Sequence, residues 1–430
     1  MKVQISMKNL KRTRWIMLVG GIMLMATLAW SYTWSLMVGP MIDERGATDG
    51  LMATLYSAVT IVGALFTIVG GKLIDRFGTT KILVSAIAAF FIGQIICGLT
   101  TTVTGFAVGK VIFVSWQQSV LYIAVYSNII KLFPDWKGLA TGLVGMGIPI
   151  GGSFMAPLCQ HFIETCGFNS MFFVTGGVLS AIAVIGLIIF PETKNLNVEK
   201  ELGITEQKLA VPSVPNPDFV QKDWKAMLKD PVFYLVFLMP LCGTAPYMLL
   251  SYQMAWIAQD MLGISEMRSA FLVSLVSIVG MVTVVIGPIT DRFGRLGVTV
   301  ILFAVGAASC AGFIIAPSYG LPFFVVCTIL FVSSVGAFGY IHPVLVCDLF
   351  GTENYGFNYS ICYQAILVAA TISPWLGVLG RTGEGADYTI TFTICTVLCI
   401  IGCIFAVIIF ILRRKKLEYL PKGFGKNKAN

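Results

Sequence analysis

The sequence predicts an all-α membrane protein, with twelve transmembrane helices arranged as two six-helix bundles. Of its 430 residues 57% are hydrophobic and only 12% are charged, whereas soluble domains carry about 25% charged residues. Apolar runs of about 20 residues recur along the chain, which is the length that crosses about 30 Å of hydrocarbon. Backbone polar groups inside a bilayer must pair within their own segment, so these runs are expected to be helices. Two copies of one motif point to an internal repeat.

We place the membrane spans by the length and apolar character of these runs. The first run is too long for the apolar region of a signal peptide and lacks a cleavage site, so it is interpreted as a span. The predicted spans are residues 15–41, 50–72, 82–100, 103–130, 139–160, 169–190, 232–258, 269–290, 298–317, 321–347, 356–379 and 388–412.

The orientation follows from the lysine and arginine residues, which concentrate in cytoplasmic loops of membrane proteins. If the N-terminus is cytoplasmic, inside loops and tails hold 25 of the 29 basic residues. The outside loops hold Arg45, Arg268 and Arg381, and Lys110 lies within a span. We therefore expect a multi-pass protein of the cytoplasmic membrane with both termini cytoplasmic. The same distribution indicates that the net charge of +8 comes from basic residues that orient the chain in the membrane, and not from a nucleic-acid-binding surface.

A polar, proline-containing stretch divides the spans into six and six. We expect an N-terminal bundle at 1–190, a cytoplasmic linker at 191–231, a C-terminal bundle at 232–412 and a basic cytoplasmic tail at 413–430. The linker contains Pro212, Pro215 and Pro217 among several charged residues, with one short surface helix predicted around Asp223–Leu228.

The two halves repeat each other. The sequence DRFG occurs at Asp75–Gly78 and again at Asp291–Gly294, 216 positions later, and each copy follows the second span of its half. A looser echo links Leu132-Phe133 with Leu349-Phe350, 217 positions apart, after the fourth span of each half. A duplicated six-helix unit is a known transporter architecture, in which substrate binds near the membrane midplane.

The loop Gly71–Lys81, together with the second copy of DRFG, resembles the signature of the major facilitator superfamily between spans two and three. Glycine permits a tight turn, the aspartate can accept hydrogen bonds from exposed helix-end amides, and the basic residues attract the loop to the anionic inner leaflet. We expect these loops to act in conformational gating, through the residues Asp75, Arg76, Gly78, Asp291, Arg292 and Gly294.

Further motifs resemble the oxalate/formate antiporter branch of that superfamily and its monocarboxylate-transporter relatives. They are Tyr32–Leu36, Leu132–Gly142, Asp348–Gly351 and Tyr355–Phe357. The resemblance implies transport of small organic anions. The oxalate carriers place one basic residue in span eight and one in span eleven, where this chain has Thr283 and Cys362. A monoanion, a protonated acid or a larger and less polar carboxylate therefore fits this sequence better than oxalate.

Ionisable side chains within spans are costly and mark functional candidates. Lys110 in span four and His342 in span ten are the two clear cases. Lys110 is interpreted either as an anion partner at the outer vestibule or as a side chain that snorkels to the outer interface. His342 is interpreted either as a proton relay or as a core histidine bonded to a backbone carbonyl.

Polar and aromatic side chains extend this candidate site. At 100° per residue, Lys110, Gln117, Gln118 and Tyr122 share one arc of span four, which Val114 and Leu121 interrupt. Thr244, Tyr247 and Ser251 form a stripe on span seven, although such stripes also join helices. The predicted substrate-binding residues are Tyr32, Trp34, Lys110, Gln117, Gln118, Tyr122, Tyr247, Ser251, Tyr340 and His342, with Phe338 as a further aromatic wall.

The sequence therefore predicts a secondary active transporter that carries a small, monocarboxylate-like anion by alternating access, as proton symport or anion exchange. An exporter of larger hydrophobic or aromatic solutes remains the alternative. A membrane-embedded enzyme would need clustered catalytic residues, and the spans contain almost no carboxylates. We expect a monomer in the lipid bilayer with a carboxylate substrate and a possible coupling proton. We expect no cofactor, no metal, no disulfide and no nucleic-acid partner.

Overall fold

The fold was analysed in a computed structural model. The structure describes residues 10–190, 192, 198, 213–215, 221–283, 286–380, 387–413 and 419–421. Most residues in this part of the chain are helical, short turns join the helices, and two strands of three residues each are also present. The all-α class predicted from the sequence is confirmed for the membrane-spanning part.

The helices of the first half follow the predicted spans. Their bounds are α1 Leu10–Ala26, a 3₁₀ segment Thr27–Thr33, α2 Trp34–Arg45, α3 Asp49–Phe77, α4 Thr79–Leu99, α5 Val103–Ala107, a π segment Val108–Val114, α6 Ser115–Leu132, α7 Lys137–Gly145, α8 Gly147–Cys166 and α9 Phe168–Ile189.

The second half begins with the linker elements and then repeats this order. Its bounds are β1 Ser213–Pro215, α10 Trp224–Lys229, α11 Pro231–Leu262, α12 Glu266–Val282, α13 Ile286–Phe293, α14 Arg295–Tyr319, α15 Leu321–Phe331, a π segment Val332–Gly336, α16 Ala337–Phe350, α17 Tyr355–Leu379, α18 Thr389–Arg413 and β2 Tyr419–Pro421.

Helices occupy all twelve predicted span positions. Among the described residues, ten helices are long and apolar enough to cross a membrane by themselves. The predicted span 269–290 is not one of them, because residues 284 and 285 lie outside the described residues and the parts on either side, α12 Glu266–Val282 and α13 Ile286–Phe293, are each shorter than a span. The predicted span 356–379 corresponds to α17, which forms a helix of 25 residues.

The first predicted span is not one continuous α-helix. A 3₁₀ segment separates α1 from α2, and hydroxyl groups at both of its ends bond back to the preceding turn. Thr27 Oγ1 donates to the Leu24 carbonyl at 2.7 Å, and Thr33 Oγ1 donates to the Trp30 carbonyl at 2.7 Å. Such back-bonding competes with the regular helical hydrogen bonds and often bends helices.

The repeat predicted from DRFG is confirmed by backbone geometry. Gly78 and Gly294 end the two equivalent helices with φ values of 91° and 90°, and Gly46 and Gly263 cap the first span of each half at 66° and 62°. Only glycine adopts these positive φ values without strain. The fourth span of each half is a 30-residue helix with a π segment inside it, so even the irregular backbone recurs.

The chain divides into two compact units. The first comprises residues up to Pro134, Leu143–Thr205 and Glu353–Ile361, and the second comprises Asp135–Gly142, Glu206–Thr352 and the chain from Cys362 onward. This division differs from the predicted bundle boundaries at two short stretches. Residues 135–142 belong to the unit built mainly from the second half, and residues 353–361 belong to the unit built mainly from the first half.

The end of the linker is bound to the second unit. The predicted surface helix is present as α10, and the Asp223 side chain caps it by accepting from the Ala226 amide at 2.8 Å. The Asp230 carboxylate accepts hydrogen bonds from Lys222 and from Arg413 at the end of α18. The strands β1 and β2 pair antiparallel, which joins the linker to the C-terminal tail.

Candidate functional site

Lys110 is buried among aromatic rings inside the first unit. Only 4% of the residue is exposed, and its Nζ lies 4.5 Å from the ring centroid of Trp30, 5.8 Å from that of Phe106 and 6.0 Å from that of Trp34. Within the described part of the chain no carboxylate pairs with this ammonium group. Cation–π contacts therefore replace the ion pair that a buried lysine normally requires.

The π segment Val108–Val114 carries this lysine. Its hydrogen bonds skip one residue more than those of an α-helix, and such segments are frequent at functional sites. Ser115 Oγ donates to the Lys110 carbonyl at 3.2 Å and so satisfies one backbone group of the irregular turn. The thiols of Cys97 in α4 and Cys159 in α8 lie near enough to interact electrostatically with the ammonium group.

The rings around Lys110 form one continuous aromatic shell, which comprises Trp30, Trp34, Phe90, Phe106 and Phe172. Trp30 packs edge-on against Phe90 and Phe172, with centroid separations of 6.4 and 6.2 Å. Phe106 contacts Trp34 at 6.0 Å and Phe172 at 6.1 Å. These rings come from five different helical segments, so the shell fixes the position of the lysine in the interior of the unit.

Buried polar atoms lie beside this shell without a described partner. Gln117 Nε2 donates to Thr27 Oγ1 at 3.1 Å, but Gln117 Oε1 accepts no hydrogen bond from any described residue. The same holds for Trp30 Nε1 and for both amide atoms of Gln94 in α4. Buried polar groups in native proteins are almost always paired, with protein, water or ligand.

The structure decides one of the two interpretations of Lys110. A snorkelling lysine keeps its ammonium group in interfacial water, which is incompatible with a residue that is 96% buried and covered by Trp30. The interpretation as a surface anchor is therefore wrong. The side chain lies in the interior of the first unit, and its interpretation as a partner for an anion stays a prediction.

The other predicted residues of the first unit lie in two places. Trp34 belongs to the aromatic shell, and Gln117 lies beside it. Tyr122 is half-buried further along α6, where its ring packs against Tyr126 at 4.7 Å. Gln118 is half-buried and belongs to neither group. The side chain of Tyr32 lies outside the described residues.

The predicted residues of the second unit are not gathered into one cluster. Tyr247 packs beside Gly336 of the π segment, whereas Tyr340 lines a shallow recess with Gly138, Thr283 and Thr290. The side chain of Ser251 lies outside the described part of the chain.

His342 lies in the packed interior of this unit. It is fully buried, and its ring packs against Phe338 at 5.6 Å. This is a packed core environment, and the interpretation of His342 as a proton relay stays a prediction.

The two positions that differ from the oxalate carriers are also internally satisfied. Thr283 is buried and donates to the carbonyl of Gly280 in its own helix at 2.6 Å, and Cys362 is fully buried. Neither side chain supplies a charge, so the second unit has no cation at these two positions.

The repeated aspartates each bind the first amides of a helix. Asp75 accepts from the Gly356 and Phe357 amides at 3.0 and 2.7 Å. Asp291 accepts from the Gly138 and Leu139 amides at 2.9 and 3.0 Å. This confirms the expectation that the loop aspartates accept from helix-end amides, where the positive end of the helix dipole also favours a carboxylate.

The remaining residues of the two DRFG motifs shape the turns. Arg76 and Arg292 are exposed and stack over their neighbouring rings, Phe77 and Phe293, at 5.1 and 5.7 Å. Gly78 and Gly294 are the helix-ending glycines described above.

Further charges reinforce the second copy. Arg295 donates to Asp291 at 2.9 Å and to Asp348 at 2.5 Å, and Lys137 lies 3.5 Å from the other oxygen of Asp348. The first copy has Thr79 at the position equivalent to Arg295, so the contact from the fourth residue after the aspartate is particular to the second copy.

Sequence reasoning missed Trp30, Phe106 and Thr27, which the structure places against Lys110 and Gln117. Spacing gives a partial signal, because Thr27, Trp30 and Thr33 recur every three residues, which is the period of a 3₁₀ helix. No sequence pattern placed Phe106 over the lysine four residues later. Among the described residues there is no group of three or more side chains that could hold a metal ion, and no disulfide joins any of the eleven cysteines.

Two repeated helical units with apolar exteriors and charged loop turns define the class of polytopic membrane transporters. The family model described as Major Facilitator Superfamily matches residues 19–345. The chain belongs to the major facilitator superfamily, so its fold and family are those of transporters rather than enzymes.

Individual relatives agree with this assignment. The chain is 23% identical to the uncharacterized MFS-type transporter YhjX of Escherichia coli strain K12, over 83% of this chain and 85% of that protein. It is 22% identical to the oxalate:formate antiporter of Oxalobacter formigenes, over 93% and 92%. The structure of the proton:xylose symporter XylE superposes with a TM-score of 0.71 at 14% identity, over 95% of this chain and 98% of that one.

Proposed function

We propose that this protein is a secondary active carrier of a small, monocarboxylate-like organic anion across the cytoplasmic membrane. Its energy would come from an ion or substrate gradient, through proton symport or anion exchange with alternating access. Both termini would be cytoplasmic, as the distribution of lysine and arginine predicts, and the carrier would act as a monomer.

The observation that carries this proposal is the burial of Lys110 without a described carboxylate partner. An isolated buried charge costs several kcal/mol, and cation–π contacts of about 0.5–2 kcal/mol each offset only part of that cost. A bound carboxylate would supply the missing counter-charge. The names of two relatives, an oxalate:formate antiporter and the human monocarboxylate transporter 12, support the same class of substrate.

We infer that Asp75 and Asp291 act as conformational gates. The Asp75 carboxylate binds two amides at the start of α17, which follows it by more than 200 positions. The Asp291 carboxylate binds two amides at the start of α7, which precedes it by more than 150 positions. Breaking such contacts and forming them again would couple the loops to the transport cycle.

The proposal is tested with purified protein in liposomes. Uptake of radiolabelled formate, lactate, oxalate and an aromatic acid is measured with and without a pH gradient, and with and without internal unlabelled acid. We expect saturable uptake of at least one small carboxylate, which Lys110→Met abolishes. Transport of large apolar solutes with no response to any carboxylate would instead support the alternative function, an exporter of such solutes. That result would refute the assignment of an anion substrate but would not affect the assignment of the fold.

A further inference from the structure

We propose that the end of the linker, residues 221–230, is a strap that restrains the gate of the second unit. The strap binds the turn Phe350–Thr352. This turn follows Asp348, which binds Lys137, the first residue of α7. This inference rests on the gating role proposed for Asp291, and it does not depend on which solute is carried. It gives the linker a part in the transport cycle besides joining the two halves.

Two residues of the strap hold the turn through its backbone. Gln221 Oε1 accepts a hydrogen bond from the Thr352 amide at 2.9 Å, and the Lys222 amide donates to the Phe350 carbonyl at 3.0 Å. The central residue of the turn is Gly351, with a φ of 95°. A Cβ at this position would lie 1.8 Å from Gln221 Oε1. Glycine therefore supplies both the backbone conformation and the space that the strap needs.

The strap is itself fixed to the rest of the second unit. Met227 in α10 is fully buried. The Asp230 carboxylate binds the side chains of Lys222 and of Arg413 at the end of α18. The Lys222 Nζ also lies 5.5 Å from the centroid of the Phe350 ring. A segment that is bound to α18 at one end and to the turn at the other resists movement of the turn relative to α18.

The turn leads directly to a buried cluster of charges. Asp348 is only 7% exposed, accepts from Arg295 at 2.5 Å and lies 3.5 Å from the Lys137 Nζ. Arg295 also donates to Asp291, whose carboxylate binds the first amides of α7. A displacement of the turn would move Asp348 away from both cations and would weaken the contacts at the start of α7. The strap therefore favours the closed form of this gate.

Cys347 is a natural reporter of the closed form. It is fully buried, and its Sγ lies 3.7 Å from the Lys137 Nζ, so a thiol reagent reaches it when the start of α7 moves away. If opening and closing are faster than the reaction, the labelling rate follows the population of the open form.

Two other thiols serve as internal standards. Cys310 is also fully buried, and it lies about 22 Å along α14 from Arg295, at 1.5 Å per residue. Its labelling reports unfolding of the second unit as a whole. Cys166 is exposed and reports the activity of the reagent.

The experiment measures labelling of these three thiols by N-ethylmaleimide, with peptide mass spectrometry, in the full-length protein in liposomes. Gln221→Ala removes the acceptor of the Thr352 amide and should raise the labelling rate of Cys347 about threefold to tenfold, the change expected for the loss of one hydrogen bond from the closed form. Gln221→Glu keeps an acceptor oxygen and should restore the wild-type rate. Lys225→Gln alters an exposed lysine of α10, and this matched control should leave the rate unchanged.

Asp291→Asn separates this inference from the gating role on which it rests. A gating aspartate requires that this variant also raise the labelling of Cys347. A rise in Asp291→Asn with none in Gln221→Ala overturns the strap and leaves the gate in place. No rise in either variant refutes the gate and the strap together. Equal increases at Cys347 and Cys310 in Gln221→Ala would show that the whole unit has lost stability, which also overturns the strap.

A second variant keeps the test decisive if Gln221→Ala fails to fold. Lys222→Met removes the contacts of the ammonium group with Asp230 and with the Phe350 ring, while the backbone amide of this residue stays in place. It should raise the labelling of Cys347 as Gln221→Ala does and leave that of Cys310 unchanged. A wild-type rate at Cys347 in this variant counts against the proposal.

Discussion

Replacing Lys110 by methionine should make the protein more stable and at the same time unable to bind its anion. Methionine has nearly the volume of lysine and can occupy the same space within the aromatic shell. The variant loses the cation–π contact with Trp30, worth about 0.5–2 kcal/mol. It also removes the desolvation cost of an unpaired buried charge, which amounts to several kcal/mol. We expect a net stabilisation of about 1–3 kcal/mol.

Thermal unfolding in detergent, followed by intrinsic fluorescence, measures this change. A gain of this size should raise the Tm by several degrees, at about 2–4 °C per kcal/mol for a unit of ~200 residues. A carboxylate at about 100 times its Kd should stabilise the wild type by about 2.7 kcal/mol further, and should leave Lys110→Met unchanged. Lys81→Met alters an exposed lysine and should change neither quantity.

The reasoning fails if Lys110→Met melts well below the wild type and still responds to carboxylates. Lys110 would then serve the packing of the unit rather than the binding of an anion. A variant that is more stable and has lost the carboxylate response is the expected signature of a residue kept for function at a cost in stability.

Three further predictions concern the loops, the linker and the buried histidine. Asp291→Asn should lower the stability in detergent by about 2–4 kcal/mol, because its carboxylate accepts hydrogen bonds from Arg295 and from two helix-end amides, and Asp75→Asn should lower it by about 1–3 kcal/mol, because its carboxylate accepts from two such amides; losses below about 1 kcal/mol would show that these contacts contribute little to the fold. Burial raises the pKa of Asp230, but the hydrogen bonds from Lys222 and the Val232 amide and the charge of Arg413 together lower it below its usual range. The ionised carboxylate of Asp230 therefore stabilises the fold above about pH 4, and this contribution should disappear as the pH falls through the lowered pKa. Thermal melts between pH 7 and pH 3 measure this loss of stability. The Asp230→Asn variant should lack that part of the pH dependence. His342→Gln should retain transport and its response to a pH gradient, since the ring is fully buried and packed against Phe338; loss of the gradient response alone would support the proton relay.

The repeat could be predicted from the sequence because it depends on local backbone chemistry. DRFG specifies a helix end at a glycine with positive φ, and both copies form that end. An aspartate at such a turn also seeks helix-end amides, so its type of partner could be foreseen. The particular partners, Gly138 and Gly356, could not, because they lie more than 150 positions away and only the folded chain brings them near.

The surroundings of Lys110 were less accessible to sequence reasoning for a geometric reason. An arc drawn at 100° per residue assumes a continuous α-helix, but the π segment Val108–Val114 changes the angular step between Lys110 and Gln117. The 3₁₀ segment Thr27–Thr33 does the same on the facing helix. Arg45 was assigned to topology because a loop arginine next to a span gives no sign in the sequence that it folds back onto Phe106.

The contacts of the linker have a practical consequence for separating the halves of this protein. Lys222 donates its amide to the Phe350 carbonyl at 3.0 Å, and Gln221 Oε1 accepts from the Thr352 amide at 2.9 Å. A gene fragment for the second half that starts at the first membrane helix, Pro231, would lack both contacts, and it would also lack Asp230 together with its partner Lys222. One that starts before Gln221 would keep them, so a chain split for co-expression should be divided upstream of that residue.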